Sequence, residues 1–384
     1  MDESIQLSSK LGQLLNIPPI SIELLPGDGS EWLLSAPATH APFLFIDNNL
    51  GVPHKVAYKA YLQAVVRFRP ARLRDGPDVA SEVLTSTAVL LLVNPAHQTA
   101  LNARKRLVLA GSSLSALHEL RFTDALLMMR EGAKQSVLWA HRRWLLRHIY
   151  PLAPLAPRPS ADVEPLSQSQ GDGVDTLFGL ALDAPAFQRE FSVVERACLA
   201  YPRNYHAWTH RFLCAEALVA LLHFQRASHS EPPPQELVEV LREERERVRG
   251  WIERHVSDYS AMQYCCQLEG LVRGSRVDAA LGRSSAAFAE VYAHALELVK
   301  AFPGHESLWL YLRGAVSVSL PFSSCEERGE KEVWELIGVH LASTGATHES
   351  VAAHAHAVRF AAWKIWLVRA HDSSGCVGAD RQYK

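Results

Sequence analysis

The chain has 384 residues, 48% of them hydrophobic, with 39 Lys and Arg against 41 Asp and Glu for a formal net charge of −2. That apolar content can bury a substantial core and excludes global disorder, while the balanced charge supplies no basic field for holding nucleic acid. Six cysteines without Cys-x-x-Cys spacing read as reduced thiols, and with neither a signal-peptide pattern at the acidic start nor an apolar run of membrane-spanning length, the expectation is a soluble, cytoplasmic protein.

In chain order, residues 5–15 carry a short amphipathic pattern, followed by Pro18-Pro19 and the turn Pro26-Gly27-Asp28-Gly29. Leu44-Phe45-Ile46 is apolar enough to be extended before a turn at Asp47-Asn48-Asn49, and Val56, Tyr58, Leu62, Val65 and Val66 support a helix over 55–69. Residues 81–93 pair with 101–109 as a first helical hairpin, and 114–129 with 138–150 as a second. Residues 151–175 are too polar and proline-rich to pack and read as a flexible surface insertion, because the same pattern resumes beyond them. The charged core of 237–251 reads as the solvated face of a helix with i,i+4 ion pairs. Residues 270–282 break the pattern, 288–302 open a fifth unit, and 333–341 with 351–370 close the array. This gives an N-terminal segment at 1–42, a repeat domain at 43–370 and a disordered tail at 371–384.

One stretch organises the rest: Tyr201-Pro202-Arg203-Asn204-Tyr205-His206-Ala207-Trp208-Thr209-His210-Arg211. Asn204 is a candidate N-cap for a helix beginning near Tyr205, and Trp208, Phe212, Ala215, Val219 and Leu222 lie on one face of it. Aligned on Trp208, degraded copies appear with Leu101, Trp139, Met262 and Trp309 as anchors. Arg104, Arg142 and Arg211 recur three places after an anchor, with Arg143 beside them. Recurrence favours a hydrogen-bonding role between hairpins over phosphate binding, which one copy would satisfy. A helical hairpin cannot bury both faces alone, so the pattern predicts an all-α, right-handed solenoid of antiparallel hairpins, a TPR-like superhelix. His206 and His210 stand at i,i+4 without a third ligand nearby, so no metal site is expected.

A proline, then Asn-Tyr, two variable residues, Trp, one variable residue and His-Arg is also the pattern of the protein prenyltransferase alpha subunit repeat. Residues 202–211 resemble it almost throughout and 134–143 match its second half, with Gln135-Ser136 in place of Asn-Tyr. The order Lys134, His206, Asp258-Tyr259-Ser260 and Pro303-Gly304-His305-Glu306-Ser307-Leu308-Trp309 is similar to the order of variants in the alpha subunits of that family. The resemblance implies an alpha-type subunit of a heterodimeric protein prenyltransferase, with geranylgeranyl transfer to substrate cysteines carried out together with a Rab-type geranylgeranyltransferase beta subunit. Zinc and the lipid cavity would belong to that beta subunit, with no cofactor on this chain and isoprenyl diphosphate and a cysteine-containing protein as substrates. By the same resemblance Lys134 is the catalytic candidate, stabilising charge on the leaving diphosphate, with Tyr205 and His206 beside it. The rival is a non-enzymatic helical scaffold for protein partners.

Overall fold

The computed structural model describes residues 3–31, 40–74, 76–111, 113–153, 176–228, 234–275, 286–319, 326–342 and 347–376. The chain divides into two compact units, 1–230 and 231–384.

The first unit opens with α1 (Glu3–Leu15), which packs on α2 (His54–Ala71) and α3 (Pro77–Val93). Its buried leucines are Leu11, Leu14 and Leu15. Gly12 permits the approach, since a Cβ there would meet Thr85 Cγ2 at 2.3 Å and the Thr85 carbonyl oxygen at 2.6 Å. Between α1 and α2 lies a small sheet that the helical expectation lacked apart from its apolar run at 44–46. β1 (Ser21–Leu25) pairs in parallel with β3 (Asn49–Pro53), and β2 (Leu44–Ile46) pairs with β3 antiparallel. Asp47 and Asn48 make the hairpin turn with φ of 50° and 60°, the left-handed pair that a two-residue type I′ turn demands and that Asx residues tolerate. Period-2 alternation over five residues is a weak signal beside prolines, so β1 and β3 are not legible in the sequence.

The repeat hairpins of this unit follow. They are α3 with α4 (Gln98–Ala110), α5 (Ala116–Leu127) and short α6 (Arg130–Ala133) with α7 (Ser136–Ile149), and α8 (Ala184–Ala200) with α9 (Tyr205–Ser228). Helix starts follow local chemistry. Ser115 and Asp183 cap α5 and α8, and His97 and Asn204 cap α4 and α9, each side chain accepting from a backbone N–H three residues on. The tight turn before Asn204 holds Arg203 at φ 57°.

After α7, residues 151–153 run back beside 179–181: the Ala153 N–H donates to the Gly179 oxygen at 2.7 Å and the Ala181 N–H to the Pro151 oxygen at 2.9 Å. The rest of the expected insertion, 154–175, lies outside the described residues.

The second unit holds α10 (Gln235–Arg254) with α11 (Tyr259–Ser275), α12 (Ala286–Ala301) with α13 (Glu306–Ser319), and α14 (Glu326–Ala342) with α15 (His348–Cys376). Asp258 caps α11 through the Ala261 N–H and also accepts from Trp251 Nε1 at 3.1 Å. Three expectations need correction. The break placed at Gly270 falls inside α11, which runs on to Ser275, because one glycine in a packed helix costs only about 1 kcal/mol. The tail expected from 371 is helical to Cys376, with 377–384 outside the described residues. The charged run of α10 is only partly a solvated face. Glu244 and Arg245 turn inward, where Glu244 accepts from the Tyr264 hydroxyl at 2.6 Å and Arg245 makes a two-pronged bond to Glu269 at 2.6 and 2.8 Å. A buried charge is tolerable when it is paired this way.

All five anchors, Leu101, Trp139, Trp208, Met262 and Trp309, are buried. Trp139 and Trp309 donate Nε1–H to the carbonyls of Ala133 and Pro303, both at 2.8 Å, so the indole locks the turn ahead of its own helix as well as filling the core. Trp208 is 3% exposed, and Trp208→Ala should cost about 3–5 kcal/mol in urea unfolding. A loss under about 1 kcal/mol would contradict its place in the core.

Candidate functional site

Arg104, Arg142 and Arg211 are buried, and the first two face glutamates of the next hairpin. Arg104 on α4 makes a forked bond to Glu119 on α5, with distances of 2.6 and 2.9 Å, and its third nitrogen reaches Thr87 Oγ1 and the Leu84 carbonyl. Arg142 on α7 repeats this with Glu190 on α8 at 2.6 and 2.7 Å, and with Thr123 and the Leu120 carbonyl. Asp124 adds a further contact to Arg142. Each carboxylate also accepts from the histidine two places after its own hairpin's anchor: Glu119 from His141 and Glu190 from His210, both at 2.9 Å. One glutamate thus ties the arginine of the preceding hairpin to the histidine of its own. Arg211 turns to the Phe191 carbonyl and to Glu195 at 3.2 Å.

This geometry makes Arg104 and Arg142 hairpin connectors, while Arg211 ties α9 to α8 of its own hairpin. Burial opposes the charged form of Glu119 and Glu190, but the adjacent guanidinium, then the histidine bond, prevail and bring each carboxyl down to about 2. His210 is pushed below its ordinary value by burial, against the pull of Glu190.

Cys214 stands 3.6 Å from His210 Nε2, so Glu190, His210 and Cys214 place three potential ligand atoms within 4.8 Å of one another. The sequence offered no such third ligand because Glu190 comes from another helix. The group does not fit a metal: Glu190 Oε2 is already held by the Arg142 guanidinium at 2.6 Å, a positive charge that a cation would have to face in a dry site. Burial also pushes the Cys214 thiol well up, away from the thiolate that zinc requires.

Lys134, Tyr205 and His206 belong to neighbouring turns that one bond joins. Asn204 Nδ2 donates to the Ala133 carbonyl at 2.7 Å, so the residue before Lys134 is held against the residue before Tyr205. Gly132 allows the first turn to sit where it does, since a Cβ there would lie 2.0 Å from the Leu126 oxygen. Lys134 is partly exposed and its Nζ pairs with Glu131 at 2.6 Å. Tyr205 is exposed, with the His206 ring edge-on at 5.7 Å. His206 is pushed below its ordinary value by burial and then by the charge of Arg143 on α7. No side chain caps the start of α7, next to Lys134. The chemistry of this edge is cationic, with one neutral imidazole and one phenol.

Helical hairpins pinned through buried Arg–Glu–His sets, with a cationic edge at two adjoining turns, define an all-α helical-repeat protein. Residues 187–218, which run from within α8 through the Asn204 turn into α9, match the family model of the protein prenyltransferase alpha subunit repeat. The chain is similar to the protein prenyltransferase alpha subunit repeat-containing protein 1 of Homo sapiens, 24% identical over 308 residues, covering 71% of this chain and 68% of the relative. The Danio rerio protein of the same name is 26% identical over 251 residues, 59% of this chain and 52% of its own. The Xenopus laevis protein 1-B is 26% identical over 227 residues, 58% and 45%. The matched stretch therefore spans about half, or less, of the fish and frog proteins.

Because both buried carboxyls sit near 2 when folded, against 4.5 ordinarily, their contribution is complete above about pH 4.5 and is lost as pH falls toward 2. It amounts to about 3 kcal/mol for each. Urea midpoints measured across that window should drop steeply, and Glu190→Gln should flatten part of the slope. An unchanged slope in the variant would remove Glu190 from the acid transition.

Proposed function

We propose that this chain serves as the alpha-type subunit of a heterodimeric protein prenyltransferase, acting in geranylgeranyl transfer with a Rab-type beta subunit. The observation that carries the reading is the joined edge of Lys134, Tyr205 and His206, held by the Asn204 to Ala133 bond, with Asn204, Tyr205 and His206 inside the matched repeat at 187–218 and Lys134 in the hairpin before it. Transfer of an isoprenoid to cysteine builds negative charge on the departing diphosphate, and a fixed cation where that charge grows lowers the barrier. Lys134 supplies that cation. Arg143 adds field, and the open N–H groups at the start of α7 favour an anion beside it. Glu131 is a surface partner, and an exposed pair of this kind is worth about 0–1 kcal/mol, so a diphosphate can displace it. His206, kept neutral by burial and by Arg143, can donate a hydrogen bond without offsetting the charge balance.

The zinc-bound thiolate and the lipid cavity belong to the beta subunit on this reading, in keeping with a Glu190–His210–Cys214 group that does not suit the metal. This chain's part is to position the diphosphate and receive its charge. The Lys134–Glu131 pair also favours a second reading, a scaffold without a share in transfer, since it leaves the lysine's charge neutralised in the free chain.

Pull-down with candidate beta subunits followed by single-turnover geranylgeranyl transfer separates the two. Lys134→Ala should leave beta-subunit binding unchanged and slow transfer by about 10- to 100-fold, equivalent to about 1.4–2.7 kcal/mol. Equal rates would take Lys134 out of the site, and absence of transfer with every beta subunit would leave the scaffold.

A further inference from the structure

The outward face of α2 is apolar and cationic at once, a combination used neither by hairpin packing nor by the transfer reading. Its inner side, Val56, Ala57, Ala60, Ala64, Phe68 and Ala71, is buried against α1 and α3. Outside, Tyr58, Leu62 and Val66 follow one another at i, i+4 and i+8 and are 57, 49 and 72% exposed. Lys55, Lys59 and Arg69 are exposed on the same face. At about 100° per residue all six fall within an arc of roughly 100°. Arg72 and Leu73 continue the mixture past the helix end, both exposed.

No acidic residue occurs from 54 to 74. Arg67 and Arg74 are turned to Glu82, whereas Lys55, Lys59, Arg69 and Arg72 have no ion pair among the described residues. Apart from Asp28, whose carboxyl feels the Lys55 charge, the face therefore pairs cations without ion pairs among the described residues with protruding apolar side chains on one surface helix.

We propose that this face docks on an anionic lipid bilayer. Charge complementarity demands a negative partner, and the interleaving of cations among Tyr58, Leu62 and Val66 selects which kind. In a protein interface the cations inside the stripe would be desolvated along with it, at a penalty that only well-placed carboxylates offset. At a bilayer their long stems lie along the apolar residues and the charged ends reach headgroup phosphates and carboxylates, while Tyr58, Leu62 and Val66 enter the acyl boundary. Each cation near such a surface strengthens binding by about fivefold.

The test is flotation of the full chain with vesicles of phosphatidylcholine, with and without phosphatidylserine. Binding should require the anionic lipid and weaken as salt rises. It should fall at least tenfold in Lys55→Gln/Lys59→Gln/Arg69→Gln and, independently, in Leu62→Ser/Val66→Ser. All five positions are exposed, so both variants should unfold at the wild-type temperature, and this is measured alongside. Absence of binding, equal binding to neutral vesicles, or wild-type binding by either variant overturns the proposal. So does competition by polyglutamate that matches the vesicles and ignores Leu62 and Val66, which would assign the face to an acidic protein.

Discussion

A carboxylate buried between two hairpins is the contact on which the first unit depends. Glu119 and Glu190 are each held on one side by an arginine from the hairpin before and on the other by a histidine from their own. An isolated charge in that position would be prohibitive, and an isolated arginine equally so; together, with a hydroxyl and a carbonyl completing the guanidinium, every member is satisfied except the far nitrogens of the two imidazoles. Apolar contacts tolerate small slips between stacked helices, whereas a forked guanidinium–carboxylate bond tolerates very few. The network thus sets the register of one hairpin on the next, and that register brings the turn at Ala133 against the turn at Asn204. The cationic edge is a by-product of the same alignment.

The second unit solves the problem with different side chains. Tyr264 takes the histidine's place against Glu244, and farther along Tyr311 lies between His294 at 3.1 Å and Cys265 at 3.4 Å. At these two positions neutral groups stand where the first unit has histidine and arginine, with burial and then Glu269 pushing the Cys265 thiol up to about 12, while Arg245 and Glu269 keep a buried ion pair. Neutral pairs avoid most of the desolvation penalty but hold direction less strictly. The copies anchored on Met262 and Trp309, where Cys265 and Leu312 stand in the arginine's place, are the ones that use this substitute.

What could be read without coordinates was what is local. Anchors, caps and turns lie within a few residues of one another, so Trp208 and Asn204 announced themselves, and the repeated phase of Arg104, Arg142 and Arg211 already implied a connector. Their partners did not, because Arg142 meets Glu190 across 48 positions and an intervening insertion. A faint signal existed: Glu119 and Glu190 are single acids set in otherwise apolar helix faces, and an acid there needs a cation. For the edge at Lys134 the resemblance gave the residues, but the neighbourly role of Arg143 and the pairing with Glu131 are spatial facts. Net charge misled in another way. A total of −2 is an average that conceals a helix carrying only positive charge.

The paired neck at 151–153 and 179–181 separates what happens within the enclosed chain from the stacking of α7 on α9. Once a loop's ends are fixed, each doubling of its length adds only about 0.6 kcal/mol of closure entropy. Added length between 153 and 176 therefore costs little in closure entropy, whereas Leu177, fully buried just before the neck closes, is fixed by the core. That makes the enclosed stretch a place where lineages can diverge in length at little cost, and where an engineer can graft a fluorescent protein or an affinity handle while leaving the Arg142–Glu190 register intact.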